Sequence, residues 1–523
     1  MNGDATHLTP LLEKMPWDAV NVGNHELYHP SVVAYAQQPA SFVPWWGERY
    51  LSATVVLQNG DEMKPFGNHY RILHGRHSSV LVFGFLYDMK GYADTVTVQE
   101  VETVVEQAWF ADALRNESYD AIMVLAHMHF RDRLVSVILN KIREITGPEA
   151  TTHLPIQFIT GHSHIRDFAI LDVASVSFEA GRYLDTIGFA SFPMQRTLQN
   201  AFASQSDKKN DTAYNGEGNL TSQLFQYVYL DANVNVLQQT LGITDTFDTP
   251  EGIALSTFIR KTRTEMGLDE TVGCLPYSYY HDQGVNAPRS LWRFFQERVV
   301  PSQFSPDDVV FLSSETFRYS LLGSGNVSLD DIIAASPFNE TLYAWEQVPS
   351  EAIAKLNETM NGHSRPGDLV PSYLFSSPQP FQPSGSVYNL VFSVFDLDRI
   401  QSVLSEIDDA VAKRSPIITN QTTTDIWINH IRDYEPCGAP FEQSTDSSIT
   451  VKSKRFGFNN QHTLKQVIWV TGLVAAVVVM LVIAVTARWP RIGRRRVAHI
   501  PVQQDDDIDD GIGEATESGE ELI

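Results

Sequence analysis

Asn21–Tyr28 reads NVGNHELY and continues the short apolar run Asp18–Val22. A short β-branched run that stops at Gly-Asn-His-Glu has the form of a buried strand carrying polar side chains at its carboxyl end. Two further runs stop in the same way. Ala121–Ala126 (AIMVLA) leads into His127, Met128 and His129, and Ile156–Thr160 (IQFIT) leads into Gly161, His162, Ser163 and His164. Loops at the carboxyl ends of strands in α/β domains are where ligand sites assemble, so the three loops are expected to converge.

The surroundings of these runs alternate between two periods. Ser79–Phe85 (SVLVFGF) reads as another buried strand, while Thr97–Leu114 and Leu134–Ile145 carry apolar residues at helical spacing. Strand-helix alternation predicts an α/β layered domain over residues 1–235, closed by a strand at Leu224–Leu230 after an exposed polar loop at Ser204–Gly218. Beyond Gly242 the pattern is mixed. Helices are expected over Ser290–Val299, Ser328–Ala335 and Ser350–Met360, and a strand over Tyr388–Phe395, which together suggest a second, α+β domain across 240–440.

A polar stalk is expected at 441–466, and then the character changes. Val467–Ala487 (VIWVTGLVAAVVVMLVIAVTA) carries no charge and matches the roughly 20 residues that cross a bilayer; the alternative is a buried core helix. Arg488, Arg491, Arg494, Arg495 and Arg496 follow it, favouring a cytosolic tail at 488–523, although Lys452, Lys454, Arg455 and Lys465 stand on the other side. Asn116, Asn210, Asn219, Asn326, Asn339, Asn357 and Asn420 each open an Asn-x-Ser/Thr triplet, and all precede the apolar span. Their one-sided placement predicts a secretory-pathway glycoprotein with a lumenal or extracellular ectodomain, in a vacuole or at the cell surface. Met1–Trp17 has no apolar stretch of the kind secretion requires. Either the span directs insertion or the chain is N-terminally incomplete.

Bulk chemistry narrows the function. The formal charge of -25 argues against nucleic acid as a partner, since a phosphate backbone would be repelled. Small phosphates remain compatible with that charge if metal ions supply local positive potential. The two cysteines, Cys274 and Cys437, form no Cys-x-x-Cys pair, which excludes a thiolate zinc finger and leaves their pairing open. Gly-x-Ser-x-Gly does not occur, so a serine esterase lacks its signature.

Neutral imidazoles and an amide oxygen suit Zn, Mn or Fe, and two adjacent divalent ions would clamp a phosphoryl group and turn a bound water into hydroxide. A lone histidine is more often structural. Gly-Asn-His-Glu and Gly-His-x-His in this order, each after an apolar run, are far more specific together.

Those blocks resemble the later signature motifs of the calcineurin-like metallophosphoesterases of the 5′-nucleotidase family, and Asn21–Tyr28 is similar to a fungal branch of it. Thr316–Phe338 (TFRYSLLGSGNVSLDDIIAASPF) resembles the family's C-terminal pattern, so the likeness runs from about residue 15 to 400. The resemblance implies a four-layer β-sandwich flanked by helices, then a nucleotidase-type α+β domain. It implies a hydrolase of phosphomonoesters, with nucleotides as substrates and two divalent metal ions as cofactors. Asn24, His127, His162 and His164 match metal ligands, and His25 matches the histidine that stabilises or protonates the leaving oxygen. Glu26 takes the acidic slot beside it. Arg318 matches a nucleotide-contacting arginine and Phe338 one face of an aromatic clamp, with an ordinary ion pair and a core position as the plain alternatives.

The departures are specific. The family's Asp-x-His and Gly-Asp blocks should precede Gly23 by tens of residues, and Gly23 lies too near Met1 to accommodate them. Ser313 and Glu315 replace the Asn and Gly of Asn-x-Gly-x-x-Arg, and no Gly-Gly-Asp-Gly stands near Tyr388–Asp396. The other expectation is therefore a catalytically impaired membrane glycoprotein that keeps the fold to bind or scaffold. His69, His74 and His77 have no counterpart and read as a solvated strand edge.

Overall fold

A computed structural model describes residues 7–438 apart from 40, 60–61, 149–152, 194–224, 244–246, 324 and 363–369. The stalk, the apolar span at 467–487, the tail, the polar loop at 204–218, and Asn210 and Asn219 lie outside the described residues. Among the described residues no helix is long and apolar enough to cross a membrane.

The apolar runs become strands because both of their faces find cover. In chain order the first part contains β1 (Val20–Asn21), β2 (Tyr50–Leu51), β3 (Tyr70–His74), β4 (Ser79–Leu86), α1 (Val101–Val105), α2 (Ala108–Asn116), β5 (Ala121–His127), α3 (Arg133–Thr146), β6 (Ile156–Thr160), β7 (Arg166–Asp172), β8 (Ser175–Ala180), β9 (Thr186–Ser191) and β10 (Gln226–Asp231). A six-stranded sheet has the order β7-β8-β6-β5-β4-β3. Its four inner strands are parallel, and β3 and β7 close the edges antiparallel. On one face Leu81, Phe83, Phe85, Ile122, Val124, Ile156 and Phe158 pack against Val104, Phe110, Leu134 and Ile138 of the helices. Each such side chain contributes about 1.5–3 kcal/mol by leaving water. The opposite face packs Val80, Val82 and Met123 on Leu51, and Phe178 stacks on Tyr227 and Tyr229 of β10.

The single helix expected over Thr97–Leu114 is divided. Val96–Val98 pairs as a strand with Val55–Leu57, and the helical part breaks at Gln107, whose backbone is extended. The break lets Val101, Val104 and Val105 and then Phe110, Ala113 and Leu114 all reach the same core. His74 is at the end of the edge strand β3, as a solvated edge requires, while His69 instead lies against the Trp109 ring at 4.3 Å between centroids.

Gly84 holds β1 and β2 against the sheet. A Cβ there would meet Leu51 Cβ at 2.4 Å, Asn21 Oδ1 at 2.5 Å and the Leu51 carbonyl carbon at 3.0 Å. Gly84→Ala is expected to destabilise the chain by about 1–3 kcal/mol through overpacking, read as a lower urea midpoint; an unchanged midpoint would show that β1 and β2 yield freely.

The second part is built on β11 (Thr271–Leu275), β12 (Asp308–Ser313), β13 (Gly325–Ser328), α4 (Leu329–Ala335), β14 (Thr341–Pro349), α5 (Ser350–Asn361), β15 (Tyr373–Ser376), β16 (Val387–Ser393), α6 (Leu397–Ile407), β17 (Ile417–Thr422) and α7 (Asp425–Tyr434). A five-stranded mixed sheet has the order β15-β12-β16-β14-β17. Strand alternation divides its side chains between two cores. Val310, Leu312 and Val391 face Phe294, Phe295 and Trp427, whereas Val309, Phe311, Leu390 and Phe392 face Ile353, Leu356, Ile400 and Leu404. The helix expected at Ser290–Val299 starts with Ser290 as its cap and widens into a π turn at Phe295–Val299. The strand expected through Phe395 stops at Ser393, and a 3-10 turn over Val394–Asp396 leaves Phe395 exposed. Cys274 and Cys437 form a disulfide with Cα atoms 4.8 Å apart.

Candidate functional site

β1 is tied to the main sheet by Asn21, whose side-chain amide donates to the Phe85 carbonyl at 2.8 Å. The chain then turns at once. Asn24–Glu26 forms a 3-10 turn closed by Glu26, whose carboxylate accepts the Gly23 N–H at 2.8 Å. Glu26 thus shapes the loop backbone, and burial pushes its carboxyl up from the usual range. Gly23 leaves little room for a side chain: a Cβ would stand 3.0 Å from Glu26 Oε2 and 3.3 Å from His127 Cε1, so either group would have to give way by a few tenths of an ångström. Asn24 is only 5% exposed and fully oriented: Nδ2 donates to Tyr28 Oη at 2.8 Å, leaving Oδ1 turned to His127.

His127 is the last residue of β5, and its Nε2 lies 2.8 Å from Asn24 Oδ1. Parallel pairing of Ala126 with Thr160 brings the loop after β6 alongside, and the His127 and His162 rings stand 5.1 Å apart. Asn24, His127 and His162, from three different loops, therefore meet. The His164 ring lies 5.3 Å from Tyr183, and its charge reaches His127. His162 and His164 both have left-handed backbone, at φ 76° and 63°, which costs a non-glycine residue of order 1–3 kcal/mol and is retained only where surroundings enforce it.

His25 stands at the rim, exposed, with Phe338 of the second part stacked parallel to it at 6.0 Å. Arg318 lies over the same ring, its guanidinium 5.0 Å from the Phe338 centre, and pairs with Glu315 at 2.5 Å. Arg318 is thus ion-paired, and its charge also reaches His25, His162 and His164. Phe338 is not enclosed in a core, and one of its faces is taken by His25. A second bridge between the two parts runs from Arg182 to His281 Nε2 at 2.5 Å.

The electrostatics follow from this crowding. Burial, then the neighbouring His162, His25 and His164, lowers His127 to about 3. Burial and then Arg318 lower His164 to about 4, and the same two causes lower His25 and His162. The imidazoles are neutral at pH 7, the form in which nitrogen lone pairs can bind a cation. Arg318 adds local positive charge in a chain that is acidic as a whole.

Among the described residues no group of three or more His, Cys, Asp or Glu side chains lies close enough to hold a metal ion. The convergent set instead uses an amide oxygen with two imidazoles, a donor set that suits one borderline divalent cation. It brings no negative charge with which to hold the two cations expected from the sequence.

Several side chains at the site carried no sequence signal beyond their chemistry. Tyr28 orients Asn24 and sits in the opening stretch itself. Tyr87 follows β4 and covers His162 at 4.7 Å between ring centres. Phe395, 55% exposed, meets Tyr28 edge-on at 6.4 Å. Glu179 lies under the loop of His162.

No family model matches the chain. An uncharacterized protein of Schizosaccharomyces pombe is 28% identical over 369 residues, which are 67% of this chain and 60% of that one. A secreted protein of Arthroderma benhamiae is 25% identical over 377 residues, 67% of this chain and 56% of that one. The chain thus spans less than two thirds of the length of these curated relatives. Among solved structures, a 5′-nucleotidase from Candida albicans has a TM-score of 0.68 at 21% identity, over 81% of this chain and 84% of that one. A 5′-nucleotidase precursor from Thermus thermophilus has a TM-score of 0.50 at 12% identity, over 81% and 82% of the two chains. The chain has the mixed α/β fold of the 5′-nucleotidases.

Proposed function

We propose that the chain is the body of a metal-dependent phosphomonoester hydrolase acting on nucleotides. The observation that carries this reading is the meeting of Asn24, His127 and His162 from three separate loops, with His127 Nε2 2.8 Å from Asn24 Oδ1. Asn24, His127, His162 and His164 would supply the neutral donors for a divalent cation of the Zn, Mn or Fe type. Such a cation, when bound, polarises a phosphoryl oxygen and makes a coordinated water more acidic.

The chain's own residues do the rest. His25, neutral and held in plane by Phe338, offers an N–H to the oxygen on which negative charge develops as the ester bond breaks. Arg318 attracts the dianionic phosphate and limits its approach to one side. Phe338, Tyr28 and Phe395 give the mouth an aromatic lining for a base. The ectodomain is proposed to face a lumen or the outside: Asn116, Asn326, Asn339 and Asn420 are exposed, as glycan acceptors must be.

The test is hydrolysis of a panel of nucleoside monophosphates and an aryl phosphate by the full-length protein, with chelator and after re-addition of Zn, Mn or Fe. Activity that disappears with chelator and returns with metal is expected; activity unaffected by chelator would remove the cation from the mechanism. The second reading, a binding or scaffold glycoprotein, draws on the lack of any carboxylate in the convergent set. Near-stoichiometric metal in the purified ectodomain would contradict it.

A further inference from the structure

The loop that carries His162 and His164 has to cross another strand. It joins β6 to β7, yet β8 lies between them in the sheet, pairing parallel with β6 and antiparallel with β7. Residues 161–165 therefore pass over the carboxyl end of β8. The next-to-last residue of β8 is Glu179, opposite Thr160 on one side and Asp167 on the other, and it has no exposed surface.

A buried carboxylate is costly unless its oxygens accept hydrogen bonds. Glu179 is satisfied entirely by the crossing loop. Ser163 Oγ donates to Oε2 at 2.6 Å, the Ile165 N–H donates to Oε1 at 3.3 Å, and the His164 N–H adds a further bond. One bonded residue thus lies between His162 and His164 and two more at or beyond them, and both histidines are in left-handed backbone. The loop's far end is fixed by the Gly181 N–H, which donates to the Ile165 carbonyl at 2.8 Å.

We propose that Glu179 is the positioning residue of this site: it holds the 161–165 crossover in the strained conformation that turns His162 toward His127. This rests on the functional reading above for its purpose, but not for its test. Glu179 touches neither the imidazole rings nor any reacting atom. It acts through the backbone of the loop, replacing the local preference for extended or right-handed backbone at two histidines.

Amide hydrogen exchange on the full-length chain is the direct measurement, since it needs no metal. Glu179→Ala is expected to speed exchange at His164 and Ile165 by about ten- to a hundredfold while the strands β6 and β8 stay protected. Glu179→Gln should restore most of the protection, because its carbonyl can accept from Ile165 and its amide can donate to Ser163 Oγ. Ser163→Ala, which removes only one bond, should give a smaller effect of the same sign, and it serves should Glu179→Ala fail to fold. Unchanged exchange at these amides in Glu179→Ala, or in Ser163→Ala if that is the variant that folds, would overturn the proposal, as would loss of protection spread evenly over the sheet. Co2+ binding, followed by its visible spectrum, is the second readout: the alanine variant should bind at least tenfold more weakly than wild type, with Glu179→Gln near wild type. A wild-type chain that takes up no Co2+ would reject the functional reading, while the exchange pattern still decides the role of Glu179.

Discussion

Replacing His25 by alanine is expected to lower the turnover of a phosphomonoester by about 10²–10⁴-fold while bound metal stays nearly unchanged. The geometry separates the two effects. His25 is one residue from Asn24 in sequence, yet the 3-10 turn points the two side chains differently: Asn24 is buried against His127 and Tyr28, and His25 is exposed against Phe338. Removing the imidazole deletes a donor at the mouth and leaves the Asn24–His127 contact intact. The measurements are kcat with an aryl phosphate and the metal content of the same preparation. Aryl phosphates with better leaving groups should be less affected, since they need less help at the departing oxygen. Metal lost in step with activity would make His25 a ligand instead.

Serine at both Cys274 and Cys437 is expected to cost about 2–5 kcal/mol of stability, seen as a lower denaturation midpoint. The bond joins positions 163 residues apart and encloses the whole five-stranded sheet. Its loss would release a very long loop into the unfolded ensemble. Beyond the helix Asp425–Tyr434, whose Trp427 and Ile431 are buried in the core, two contacts hold the chain near the disulfide. The Cys274 N–H donates to the Glu435 carbonyl at 2.7 Å, and the ion pair of Arg298 with Glu435 is half open to solvent, a geometry that contributes little. Reductant should lower the midpoint of the wild-type chain by the same amount and leave the double variant unmoved. Equal midpoints for both chains would mean that the folded state gains nothing from the cross-link.

The strands at 79–86, 121–127 and 156–160 were legible within a residue or two because they are buried on both faces, which forces uninterrupted apolar side chains. The helix at 134–145 was legible for the corresponding reason, one buried stripe at period 3.6. The apolar spacing over 97–114 is that of one helix, yet the structure divides it. Val96–Val98 has the same apolar character as a first helical turn, and only the partner strand at Val55–Leu57 decides between the two. Nothing local marks Ser393 as the end of the strand that the pattern carries to Phe395; the Ser393 hydroxyl accepts the Phe395 N–H and starts the turn.

Along the chain alone, the chemistry of the site was determined: which residues carry imidazoles and an amide, and that each follows a strand. That information is local, because an apolar run and its polar end are adjacent in sequence. The tertiary structure decided which of them meet. Strand order placed Asn24, His127 and His162 together and put the buried carboxylate of Glu179 beneath a loop 14 to 16 residues away in sequence. Hydrogen-bonded register between distant strands sets such neighbours, and no pattern within one stretch of chain encodes it.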